Sequence, residues 1–97
     1  SPKYQVRLGL SEQKVANVLQ EKLSLLVRNS ALEAFVLLLQ HNGHLTVRKI
    51  DKMGRRDVKD EFMGSLKYLK LVCRTEDGFE LTDKALACFE DMDILDL

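Results

Sequence analysis

Apolar and polar residues alternate at the start of the chain, where Tyr4, Val6, Leu8 and Leu10 are interleaved with Lys3, Gln5, Arg7 and Gly9. A period of two turns one side of a segment inward and predicts a half-buried strand over 3–10. The period then changes. Val15, Leu19, Leu23 and Leu26 recur at i, i+4, i+8 and i+11, which predicts a helix over 12–28 capped by Ser11. Val18 and Leu25 widen its stripe toward a second neighbour. Ser30-Ala31-Leu32-Glu33 has the form of a capping box. The run Ala34-Phe35-Val36-Leu37-Leu38-Leu39 is apolar all round, so a helix over 31–41 is the expected centre of the core, with Asn42-Gly43 as its left-handed stop.

Val47, Ile50 and Met53 at three-residue intervals predict a two-turn helix, capped by Thr46 and ended by Gly54. Asp57 is placed to cap a helix over 58–70, with Val58, Phe62, Leu66 and Leu69 inward and Met63 beside them. Gly64 inside that helix costs ~1 kcal/mol relative to alanine and suggests a close approach by a neighbour or a ligand. Leu71–Arg74 and Phe79–Thr82 read as the strands of a hairpin with Asp77-Gly78 as its turn. Thr82 caps a last helix over 83–92, which turns Ala85, Leu86, Cys88 and Phe89 inward. The end, 91–97, mixes acids with Met92, Ile94, Leu95 and Leu97. All the aromatics fall at core-like positions. A strand and helix over 1–29 thus precede a domain over 30–97.

Length and composition set the class. A chain of 97 residues makes one α+β, mostly helical domain that buries roughly two-thirds of its extended surface. With 45% apolar and 31% charged residues it matches neither a disordered nor a membrane-embedded composition, and its apolar runs are too short to span a bilayer. The start at Ser1-Pro2, without methionine, reads as a piece of a larger protein. Two cysteines are too few for a disulfide scaffold, so an intracellular setting is expected.

Little in the chain points to catalysis. His41, His44, Cys73 and Cys88 make a nominal metal set, but the cysteines are far apart and both follow the inward pattern. Loop histidines and core thiols are expected instead, with no metal and no cofactor. No Cys-His pair, acid/base carboxylate pair or glycine-rich phosphate loop is evident, so no enzyme is expected.

Charge sharpens the picture. Fifteen basic and fifteen acidic residues sum to zero, which argues against binding a polyanion by bulk charge. By segment the balance is +2 over 1–43 (five basic, three acidic), +5 over 44–75 (nine and four) and −7 over 76–97 (one and eight). Either the middle segment forms a local basic patch or the charges mix in space on solvated faces.

The order helix, short strand, short helix, tight turn, helix, hairpin, helix resembles a winged helix-turn-helix domain between Ser30 and Asp91. The resemblance rests on Leu45-Thr46-Val47 with Ile50, Met53 and Gly54, on Leu66-Lys67-Tyr68-Leu69-Lys70-Leu71-Val72, and on Asp77-Gly78-Phe79-Glu80-Leu81-Thr82-Asp83-Lys84-Ala85-Leu86. It implies a duplex DNA-binding module, of a transcription regulator or a larger protein, with the helix over 58–70 in the major groove. Mapped here, Arg56, Lys59, Asp60, Met63 and Lys67 face the groove, and Arg48, Lys49, Lys52, Arg55 and Arg56 meet phosphates. Two departures stand out: the hairpin tip Thr75-Glu76-Asp77-Gly78 is acidic, and the reading helix carries Asp57, Asp60 and Glu61. Those acids either accept from cytosine amino groups or favour the positive end of the helix. The alternative function is a protein-docking winged helix, or a homodimer, using residues 3–28 or 91–97.

Overall fold

The structure, a computed structural model, describes residues 12–89 apart from the side chain of Asp60. The strand expected over 3–10, the Ser11 cap and the acidic end 91–97 lie outside the described residues.

Helix α1 (Glu12–Leu23) buries Val15 and Leu19. It ends five residues before the expected 28, because Ser24 adopts φ 57° and stops the helix. Beyond Ser24 the exposure alternates: Leu25 and Val27 pack on the core while Leu26, expected inward, is 79% exposed. A non-helical path with a period of two has replaced the helical stripe. Val18 and Leu25, the residues that widened that stripe, rest against the chain's own core.

Helix α2 (Asn29–Gln40) is the central element, with Leu32, Ala34, Phe35, Leu38 and Leu39 buried. Its N-cap position is Arg28, without a side-chain cap, so Ser30-Ala31-Leu32-Glu33 is not a capping box. Glu33 is used elsewhere. Asn42 (φ 59°) and Gly43 (φ 84°) turn the chain, and the Gly43 N–H donates to the Leu38 carbonyl at 2.7 Å.

Strand β1 (His44–Thr46) leads straight into helix α3 (Val47–Lys52), where the Thr46 hydroxyl accepts from the Lys49 N–H at 3.0 Å. Gly54 (φ 69°) ends α3, and the Arg55 N–H reaches back to the Ile50 carbonyl at 3.1 Å. Residues 56–57 are helical, Val58–Phe62 widen into a π-helical turn, and Met63–Tyr68 close the element as α4. Asp57 is itself helical and makes no cap. The wide turn makes Met63 donate to Val58 five residues back, and both side chains are fully buried. Met63 is therefore core rather than groove-facing, fully buried at the end of the π turn.

The hairpin is β2 (Val72–Arg74) and β3 (Gly78–Leu81), and β3 is the middle strand of an antiparallel sheet of order β1-β3-β2. Leu45 pairs with Phe79, and Val72 with Leu81. Gly78 opens β3 and does not serve as a left-handed turn residue. A Cβ there would fall on the Leu45 carbonyl and lie 2.6 Å from the Thr46 Cα. Its role is close approach to β1. Gly64 is the converse, exposed with no atom of the described chain within 4 Å of a Cβ placed on it.

Helix α5 (Asp83–Ala87) is capped by Thr82, whose hydroxyl accepts from the Ala85 N–H and donates to the Lys70 carbonyl at 2.7 Å. Phe89 reaches the centre, with its ring 5.7 Å from that of Phe35. Cys88 is buried, whereas Cys73, expected inward, is exposed on β2. Tyr68 also leaves the core, at 85% exposure.

Candidate nucleic-acid interface

Helix α3 is amphipathic over two turns. Ile50 is fully buried, Val47 and Met53 pack partly against the core, and Arg48, Lys49 and Lys52 are exposed. Arg48 and Lys52, four apart, share a row. Asp51 lies among them, and its carboxylate receives Arg56 Nε at 3.8 Å and Lys59 Nζ at 4.0 Å from the following helix. Two cations of the following helix, Arg56 and Lys59, therefore meet one carboxylate of α3 at the corner between two helices, and α3 itself exposes Arg48 and Lys52. Exposed pairs at these distances hold little energy, so Asp51 spaces the cations without tying them down. Arg56 keeps 78% of its side chain exposed and Lys59 31%.

Lys49 lines a crevice together with Gln40, His41, His44 and Thr46. There His41 Nδ1 donates to the Leu37 carbonyl at 2.8 Å. Lys67 is exposed in the last turn of α4, eight residues along from Lys59.

Arg55 belongs to the framework rather than the patch. Its guanidinium lies 2.7 Å from Glu33 on α2 and grips both Asp57 oxygens at 3.1 Å. These hydrogen bonds raise its pKa above the ordinary arginine value and hold the Asp57 carboxyl below the usual range. With Nε and one terminal nitrogen committed to Asp57 and Glu33, Arg55 is tied to its own chain rather than standing free as the phosphate ligand expected of it.

The hairpin tip is also drawn inward. Arg74 lies over the Phe79 ring, 5.0 Å from its centre, and donates to the Gly78 carbonyl at 2.9 Å. The Asp77 carbonyl accepts from Val47 N–H, the first amide of α3, at 2.9 Å. The Asp77 carboxyl sits below its ordinary pKa, chiefly because the Thr75 hydroxyl donates to it and then because His44 Nε2 lies 3.3 Å away. Glu76 and Asp77 remain exposed, so the tip offers negative charge.

Sequence reasoning named Glu61 and Gly64 on the element 56–68 but missed that Ser65 and Tyr68 are exposed with them. Glu61, Gly64, Ser65 and Tyr68 are all exposed and spaced i, i+3, i+4 and i+7. The available signal was that Tyr68 falls one residue short of Leu69 on the Val58-Phe62-Leu66-Leu69 stripe. Among the described residues, no helix is long and apolar enough to cross a membrane, and no three His, Cys, Asp or Glu side chains gather as metal ligands. No known protein family matches the chain, and no curated protein or solved structure is detectably similar to it.

Proposed function

We propose that the chain is a winged helix-turn-helix module that binds duplex DNA through α3 and the start of the following helix. The observation that carries this is the basic corner where two consecutive helices meet: Arg56 and Lys59 reach the Asp51 carboxylate of the helix that exposes Arg48 and Lys52. The element order and the sheet order β1-β3-β2 support the fold reading. A cation cluster on a rigid corner suits the phosphate backbone, where each contact releases counterions and makes affinity depend on salt. An intracellular setting, in which Cys73 and Cys88 stay reduced, goes with this function.

The test is fluorescence anisotropy on a mixed-sequence duplex over a salt series, with the wild type and the triple variant Arg48→Ala, Lys52→Ala, Arg56→Ala. The expected result is salt-dependent binding whose log–log slope falls by about three in the variant, roughly one per lost phosphate contact. No binding at low salt, or an unchanged slope, refutes the proposal.

A second reading, a docking module for a protein partner, is favoured by the acidic, tied-back hairpin tip and by the exposed Leu26. It predicts a wild type indifferent to DNA and a stable protein complex lost on Leu26→Asp.

A further inference from the structure

We propose that the free edge of strand β1 docks an extended acidic peptide of a partner protein, which adds to the sheet parallel to β1 and beside Lys49. This stands apart from duplex binding, whose test changes Arg48, Lys52 and Arg56 and leaves the edge intact.

β1 lies at one end of the sheet order β1-β3-β2, so one of its sides carries no strand. The Leu81 N–H donates to the Gly43 carbonyl at 2.8 Å, and the Val47 N–H to the Asp77 carbonyl at 2.9 Å. With His44 opposite Glu80 and Thr46 opposite Gly78, these bonds fix the alternation. Leu45 turns both its main-chain groups to β3, and His44 and Thr46 turn theirs to the open side. Two of those four groups are taken. The His44 N–H donates to the His41 carbonyl at 3.2 Å, and the carbonyl of Thr46, at the N-cap, serves the first turn of α3. The His44 carbonyl and the Thr46 N–H have no partner among the described residues.

That remainder has a direction. An antiparallel neighbour bonds the N–H and the C=O of one residue, whereas a parallel neighbour bonds the C=O of one residue and the N–H two places on. A free acceptor at His44 and a free donor at Thr46 form the second pattern, open to one residue of a parallel strand opposite Leu45. A second copy of β1 across a two-fold axis arrives antiparallel and finds one group of each residue occupied. A phosphate offers acceptors only, and the His44 carbonyl repels it.

Charge then names the peptide. The crevice along this edge, about 290 Å³, is lined by His41, His44 and Lys49 and by no carboxylate. Its size and polar lining suit a strand of peptide better than an enclosed small molecule. His44 already faces Asp77 at 3.3 Å. Lys49 is exposed and pairs with no carboxylate among the described residues, which leaves it for an incoming Asp or Glu.

The experiment is panning of a phage library of random heptapeptides on the folded protein, then titration of the selected synthetic peptides followed by NMR. The peptides are expected to share an Asp or Glu and to slow exchange of the Thr46 amide. A spin label on their first residue is expected to broaden Asn42 more than Lys49, as a parallel strand requires. Thr46→Pro removes the donor at a φ of −80°, which proline accepts, and is expected to weaken binding about 2- to 10-fold. Lys49→Glu, which keeps the whole edge and tests it even where the proline variant does not fold, is expected to exchange the acidic preference for a basic one.

No enriched peptide, peptides without a shared acid, an unchanged Thr46 amide, the reverse order of broadening, or indifference to Lys49→Glu overturns the proposal. So does a Lys49→Glu variant that loses duplex affinity when no peptide has been selected, since the crevice then belongs to phosphate. None of these outcomes bears on the duplex titration of the triple variant, which is judged separately.

Discussion

Arg55 and Glu33 meet at 2.7 Å, and through that contact the turn after α3 is fastened to the central helix α2. The same guanidinium closes on Asp57, so one side chain sets both the height and the direction in which the next helix begins. Its neighbour Arg56 projects into solvent at 78% exposure. Adjacent arginines thus have opposite duties, and the difference can be measured.

Arg55→Ala is expected to cost about 1–2 kcal/mol of stability, since charge-assisted bonds to two partly exposed carboxylates are lost. Arg56→Ala is expected to cost no more than about 0.5 kcal/mol, as for other exposed surface changes. Urea denaturation of the two variants checks this. In duplex titrations the order reverses at the level of salt slope, where Arg56→Ala lowers it and Arg55→Ala does not.

Gly78→Ala is expected to be among the most damaging single substitutions in the chain. The added methyl meets the backbone of Leu45 and Thr46, which cannot move without parting β1 from β3. Overpacking of a closely fitted interior costs about 1–3 kcal/mol, and more where only backbone can give way. Circular dichroism at rising temperature should show early melting or no cooperative fold. A normal melting curve would mean that β1 and β3 have more room than their pairing implies.

Acid should weaken the fold through Asp57 and Asp77, both held below their ordinary pKa of 3.8. Between the depressed folded pKa and 3.8 the unfolded chain binds more protons, so stability rises with pH there. The contribution is complete above the unfolded value and disappears as pH falls through the folded one. Denaturation midpoints from pH 2 to 6 should fall at the acid end, and Asp57→Asn should flatten that fall.

Lys70 sits at φ 65° where α4 ends, with the Leu71 N–H returning to the Leu66 carbonyl at 3.0 Å. A left-handed position suits glycine better than any residue with a Cβ. Lys70→Gly is expected to add about 0.5–1 kcal/mol of stability, read from the urea midpoint, because the Lys70 carbonyl still accepts from Thr82.

The two thiols should differ in reactivity. Cys88 is buried and burial pushes its pKa up, while Cys73 lies exposed on β2. Thiolate is the reactive form, so a thiol reagent should modify Cys73 in the folded protein and reach Cys88 only on unfolding. Mass spectrometry after brief alkylation should find one adduct, on Cys73.

Local chemistry carried much of the architecture. Thr46, Thr82 and Gly54 announce caps and a stop through groups that act within a few residues, and the structure uses all three. What stayed hidden depends on distant partners or on a change of helical pitch. Nothing near Arg55 in sequence says that Glu33 will take its guanidinium. Nothing near Gly78 says that β1 will press against it. The resemblance turns Met63 toward the groove, whereas it is fully buried at the end of a π-helical turn that no local signal announces. For the candidate interface, the basic run marks the stretch 44–75, and exposure separates Arg48, Lys52 and Arg56 from the half-buried Arg55 and the buried Met63.

The bond from the Val47 amide to the Asp77 carbonyl has a mechanical consequence. The hairpin tip closes the first turn of α3, so lifting the tip strips that helix of a partner and disturbs the cations it displays. That bond couples the tip to the first turn of α3, so on the proposed reading the surface is held together without a ligand. A ligand that docks there has little ordering to impose, and calorimetry should show a heat-capacity change set by the area covered rather than by chain folding.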